Sequence, residues 1–264
     1  MRTLLTLVAA LWGTGAGLLV PRAAHRFSVD PGQPWSDRCP AGHRITGTFA
    51  GWLGRADCRQ GWEADCRQGG EMAGTEGTGL CGPYGPSTVA VVTTTALTCT
   101  VLAAAAGPHP ETAVWVLLTP VAVLLTLVDH RVHRLPDVLT LPLAAATAAL
   151  LGIAAALPSA TGSWPTALLG GLALGAAYLL LFLVNPSGMG FGDVKLALAL
   201  GTALGWYGWQ ILLTGAFAGL LYGSVYGLGT VVARRAGRKS VIPFGPFMIG
   251  GAFTGLLLGA FATA

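Results

Sequence analysis

The sequence predicts an all-α, polytopic membrane protein with about eight transmembrane helices and one long polar loop after the first. Three observations carry this. Of 264 residues only 15 are Lys or Arg and 11 Asp or Glu, a charged share of 10% where soluble domains carry roughly 25%. Hydrophobic residues make up 53% of the chain and mean hydropathy is +0.64. After Pro86 the chain alternates apolar blocks of membrane-spanning length with short polar loops. A soluble fold of this size could not cover its surface with so few charges. A disordered chain would be rich in charge and poor in apolar residues.

The spans fall at about 3–20, 88–106, 112–128, 138–157, 166–184, 194–206, 208–232 and 245–262. Most reach the roughly 17–25 residues needed to cross a bilayer. The 194–206 block is short and interrupted by Gly201 and Gly205, yet the topology does not close without it. Residues 3–20 could instead be read as a signal peptide, since a leucine-rich run follows a basic residue. The stretch "LVPRAAHR" lacks an A-x-A cleavage site, and cleavage would leave an odd number of spans. The chain therefore divides into a first span (1–20), a polar loop (21–87) and a membrane portion (88–264).

Eight spans place loops 21–87, 129–137, 185–193 and 233–244 on one side. With Lys195 just inside its span, that set holds 14 of the 15 basic residues. The opposite loops hold none, and Arg2 sits at the N-terminus. The positive-inside rule makes the first set cytoplasmic, with Arg234, Arg235, Arg238 and Lys239 the firmest anchor and Arg22 and Arg26 beside the first span. Trp115, Trp164, Trp206 and Trp209 fall near outer span ends, where an aromatic belt would lie.

Acids near spans are costly and need a reason. After residue 87 there are four: Glu111, Asp129, Asp137 and Asp193. Glu111 reads as a solvated charge in an outer loop. Asp137 follows Leu135-Pro136 and opens a span, a position where a carboxylate caps the helix. Asp129 ends a helix, where the macrodipole disfavours a carboxylate, although His130, Arg131 and Arg134 could pair with it. Asp193 opens a helix behind Gly188, Gly190 and Gly192, glycines that permit close approach or positive φ. No strand precedes that loop and no G-K-[ST] follows, so it does not read as a nucleotide loop. Asp129 and Asp193 stand 64 residues apart, with two spans and one outer loop between, and return to the same membrane face. Two aspartates at one water-accessible depth can act as an aspartic protease dyad. Spacing does not by itself establish that they meet, and separate caps and ion pairs stand as the alternative.

At these residues the chain resembles the type IV prepilin peptidases, which are aspartic membrane proteases of the GxGD type. That family's first motif, D, six residues, then P-[DN] and an L-T-L-P-like run, is matched by Asp129 through Pro136-Asp137 to Leu139-Thr140-Leu141-Pro142. The second, G-x-G-x-G-D-x-K-L, is matched by Gly188, Gly190, Gly192, Asp193, Lys195 and Leu196. The resemblance covers about 115–205 well and implies a catalytic core at about 115–230. It implies that Asp129 and Asp193 are the catalytic pair, with Asp137, Gly190, Gly192 and Lys195 in supporting places. It also implies a plasma-membrane enzyme whose substrates are prepilins or pseudopilins, with a basic leader, a glycine before the cut and an apolar helix after it. Lipid is the other expected partner, and nucleic acid is not expected. The substrate helix could pack on small-residue surfaces such as Gly170-Gly171-x-Ala-x-Gly175, although these equally suit packing within the protein.

Proteolysis of this kind needs no cofactor. Many family members also methylate the new N-terminus with S-adenosylmethionine and carry two C-x-x-C pairs forming a zinc knuckle. This chain departs from that pattern. Gly42 stands where the second cysteine after Cys39 would be, and Gly61 does so after Cys58. Residues 56–61 and 64–69 both read ADCRQG, a local tandem duplication. Cys39, Cys58, Cys66 and Cys81, with His43, could supply ligands, but their spacings are not those of a knuckle, so no metal is expected and methylation would require that S-adenosylmethionine binding be retained. The loop itself reads as polar and weakly structured, and Cys99 as a packed thiol.

Other membrane proteases lack their residues here. There is no histidine inside a predicted span, as a rhomboid needs, and no H-E-x-x-H. Presenilin-like proteases carry their aspartates within spans. A small transporter or channel with functional aspartates, or a non-catalytic family member, is the alternative reading.

Overall fold

The computed structural model describes residues 1–30, 32–58, 83–186, 188–233 and 243–263. The basic cluster at Arg234–Lys239, Cys66, Cys81 and the second ADCRQG copy lie outside them. Among the described residues eight long helices appear, in the order the apolar blocks predict: α1 (Arg2–Phe27), α2 (Thr88–Ala106), α3 (Pro110–Val132), α4 (Asp137–Ala155), α5 (Trp164–Val184), α6 (Phe191–Gly205), α7 (Trp209–Val232) and α8 (Gly245–Thr263). All but α6 are long and apolar enough to cross a membrane, and the chain is a multi-pass membrane protein. Among the described residues the β-structure is limited to two isolated bridges, Arg38 with Arg44 and Asp57 with Pro83.

Glycine sets the closest helix pairs. In α5, Gly170 faces Gly201 and Gly205 of α6, Gly171 faces Thr202, and Gly175 faces Leu198. A Cβ at Gly201 would stand 2.6 Å from the Gly170 carbonyl oxygen and 2.8 Å from Leu174 Cβ, so the two backbones touch. The Gly170-Gly171-Gly175 surface is thus spent inside the protein. The glycines that interrupt the sixth block are half of this seam. The α1–α2 contact is similar, since a Cβ at Gly13 would lie 2.7 Å from Ala96 Cα.

Several expectations are corrected. The first helix runs seven residues past the predicted span, and carries His25 in its last turn. Arg22 and Arg26 are both buried because the loop folds over them. Arg22 donates to the carbonyls of Arg55, Thr46 and Leu53. Arg26 donates to Ala50 and lies 4.0 Å over the Trp52 ring. Residues 32–58 are therefore locally ordered and not a weakly structured tether. Of the four tryptophans expected in an outer belt, Trp164 and Trp209 are exposed at helix starts, but Trp115 and Trp206 are core residues, 4% and 1% exposed. Glu111 is no solvated loop charge. It sits in the first turn of α3, 1% exposed, and accepts hydrogen bonds from the backbone N–H and the hydroxyl of Thr161.

Candidate active site

Four helix termini meet at one end of the bundle. Asp129 lies in the last turn of α3, where its carbonyl accepts from the N–H of His133, a residue in the left-handed conformation (φ 50°) that stops the helix. Asp193 lies in the first turn of α6. The two residues are only 4% and 7% exposed, and Asp129 lies within electrostatic reach of Asp193. Their neighbours Leu125, Leu135, Val194 and Met248 share one hydrophobic cluster with Tyr178 of α5. The two aspartates thus come together from separate helices.

Neither carboxylate is bare. Asp129 accepts a 2.9 Å hydrogen bond from the backbone N–H of Gly245, at the start of α8. Pro246 follows, and a helix's first N–H groups have no partner within the helix, so this donor is left over for the site. A Cβ at Gly245 would stand 2.8 Å from Asp129 Oδ2. His130 and His133 add weak attraction, but the hydrogen-bond partner comes from another helix and not from the neighbouring cations. Asp193 reaches back to the N–H of Gly190 at 3.2 Å, half of a capping box, so part of its placement is ordinary capping.

The supporting residues also find places. Asp137 is not the helix cap. That position falls to Pro136, without a side-chain hydrogen bond, and Asp137 instead meets Lys195 Nζ at 2.6 Å. The ion pair joins the two motifs, with Lys195 also 4.8 Å over the Phe191 ring. The motif glycines do not supply positive φ: Gly190 has φ −77°. Gly192 is required by close approach, because a Cβ there would lie 2.8 Å from Leu135 Cβ. Gly245 and Tyr178 are site residues that sequence reasoning missed. The Phe244-Gly245-Pro246 helix start, on the same predicted face as both aspartates, was the available signal for Gly245.

The loop holds a second constellation. Cys39 Sγ, Cys58 Sγ and His43 Nδ1 stand 3.5, 3.6 and 3.4 Å apart pairwise. Zinc bonds of about 2.3 Å to sulfur and 2.0–2.1 Å to nitrogen give tetrahedral edges of roughly 3.5–3.8 Å, so the three side chains fit three corners of such a site. Sequence spacing argued against a knuckle; the fold nevertheless gathers these ligands, with His43 beside the position of the lost cysteine. Burial and the neighbouring Cys39 push the Cys58 thiol up to about 11.

Residues 116–232, which contain both motifs, match the type IV leader peptidase family. The prepilin leader peptidase/N-methyltransferase of Aeromonas salmonicida is 37% identical over 168 residues, 62% of this chain and 56% of that protein. Those of Aeromonas hydrophila and Pseudomonas aeruginosa are 35% identical over 173 residues (62% and 56%) and 36% over 146 (54% and 48%). The chain thus spans about half the length of the curated relatives it matches. No solved structure matches it. Residues 116–232, with the aspartates of both motifs buried at one end of the bundle, thus resemble a type IV leader peptidase domain.

Proposed function

We propose that the protein is a membrane aspartic endopeptidase that removes the leader of type IV prepilins or pseudopilins at the cytoplasmic face of the plasma membrane. The observation that carries the reading is the convergence of Asp129 and Asp193, from two motifs and two helices, into one buried place. Two adjacent carboxylates share one proton. The ionised partner takes a proton from water as its oxygen attacks the scissile carbonyl. The protonated partner donates to the carbonyl oxygen and then to the departing amine. Gly245 N–H holds Asp129, and Gly190 N–H holds Asp193. Asp137 and Lys195 keep the two motif segments in register. The cytoplasmic side follows from the basic residues, since His130, Arg131, Arg134 and Lys195 flank the aspartates and loops rich in Lys and Arg stay inside.

The proposal is confined to proteolysis. Methylation, the second activity in the relatives' names, would need S-adenosylmethionine, and the C-x-x-C pairs of the loop are broken here. A zinc ion held by Cys39, His43 and Cys58 would fasten the loop that wraps Arg22 and would take no part in hydrolysis. Co-expression with a candidate prepilin, scored by the gel shift on leader loss, tests the reading. Asp129→Asn and Asp193→Asn should each leave the substrate at precursor size, and processing that survives either change sinks the mechanism.

A further inference from the structure

We infer that the apolar groove between α2, α3 and α8 is the seat of the substrate's membrane helix; the inference rests on the peptidase reading above. The groove has a volume of about 480 Å³. Each helix lines it with a single face: Ala90, Thr94 and Thr98 at successive turns of α2, and Thr119, Ala122 and Thr126 at successive turns of α3. The α8 wall runs from Pro246 through Gly250 to Phe253, and Leu143 and Thr147 of α4 with Ala199, Leu200 and Ala203 of α6 also border the space. At 1.5 Å per residue the α2 wall, from Ser87 to Leu102, is roughly 22 Å long, most of a bilayer core of about 30 Å.

The groove leads to the site. Asp129 is one residue short of a further turn beyond Thr126 on the lining face of α3, and Pro246 is the neighbour of the glycine whose N–H holds Asp129. A peptide cut at the dyad with an apolar helix on its far side can lay that helix along these three walls without leaving the membrane. Small residues on each wall, Ala90, Ala122 and Gly250, allow close backbone approach. The threonines do not make the groove polar. Thr98, Thr119 and Thr126 donate to the carbonyls of Thr94, Trp115 and Ala122 on their own helices, so what they offer a ligand is largely methyl surface. Acyl chains could fill the same space, and the experiment separates the two occupants.

A photoreactive side chain is placed at Ala122 in the full-length Asp129→Asn chain, in membranes, with a prepilin present. A second is placed at Leu213, which is 65% exposed on α7. Mass spectrometry of the adducts should find substrate residues from the apolar helix joined at position 122 and only lipid at 213. Lipid alone at 122 under saturating substrate, or substrate at 213 and not at 122, overturns the inference. Gly250→Phe gives an independent reading, because a Cβ there meets only the Tyr222 ring, at 3.7 Å, an ordinary contact. Filling the groove should raise KM for membrane-embedded prepilin at least tenfold with little change in kcat, and an unchanged KM overturns the inference. Retained processing by Asp129→Asn would instead defeat the peptidase reading, wherever the adducts fall.

Discussion

One helix carries a buried acid at each end, and the two could hardly be treated more differently. Glu111 occupies the first turn of α3, where the macrodipole favours a negative charge, and Thr161 gives one of its oxygens two hydrogen bonds. Asp129 occupies the last turn of the same helix, where the dipole opposes it. It has one backbone hydrogen bond and a second carboxylate nearby. Burial is equal, at 1% and 4% exposure. Burial therefore does not set the two acids apart; the sign of the helix dipole and the second carboxylate do.

That contrast can be broken by experiment. Asp129→Ala or Asp193→Ala should lower prepilin processing by at least ~10³-fold, while Glu111→Gln should leave it within about twofold; comparable losses at both ends would erase the distinction. Gly245→Ala should come next. Its Cβ falls 2.8 Å from the Asp129 carboxylate, too close for contact, so the carboxylate must shift, and misplacing a reacting group by about 1 Å costs on the order of 10²-fold. The loss should appear in kcat while the purified protein stays monodisperse in detergent. Lys195→Ala and Asp137→Ala should each cost only about three- to tenfold, because the Asp137 side chain is 60% exposed and such pairs are worth about 1 kcal/mol or less. The double variant should lose no more than the worse single one, the signature of a shared interaction. Glu111→Ala should spare activity and lower thermal stability by roughly 1–3 kcal/mol, the cost of a lost buried hydrogen-bonding partner. Smallest of all in activity, His43→Ala or Cys39→Ser should leave proteolysis unchanged, and zinc found by elemental analysis of the purified protein but absent from either variant would assign a metal to these three side chains.

The helices were legible in number and order, because apolar blocks bounded by Pro, Gly and charge define spans without reference to neighbours. The aspartates were legible as well, through their scarcity and their motifs. What could not be read depends on contacts distant in the chain. Gly245 lies 116 residues from the carboxylate it holds. Glu111 is buried because Thr161, in the next loop on its side, folds onto it. Asp137 looked like a cap because it opens a helix, but the Lys195 amine, from another motif, offers a stronger partner than a frayed N-terminus. The cysteine spacings suggested no site, since loop spacing constrains geometry only when the intervening backbone is regular.

The glycine seam between α5 and α6 also sets a depth. Gly171 opposite Thr202 and Gly175 opposite Leu198 fix an antiparallel register that brings Asp193 level with a point about one turn inside the end of α5. Asp129 is likewise about one turn inside the end of α3. Both aspartates thus sit on a shelf some 5 Å below the helix rims. A peptide bond inside a helix has its carbonyl engaged and shielded, so under the proposed function a substrate would unwind to present it. At about 3.3 Å per extended residue, the shelf admits roughly two unwound residues, which makes the flexibility of the residues beside the cut, more than their side-chain identity, the quantity this geometry selects.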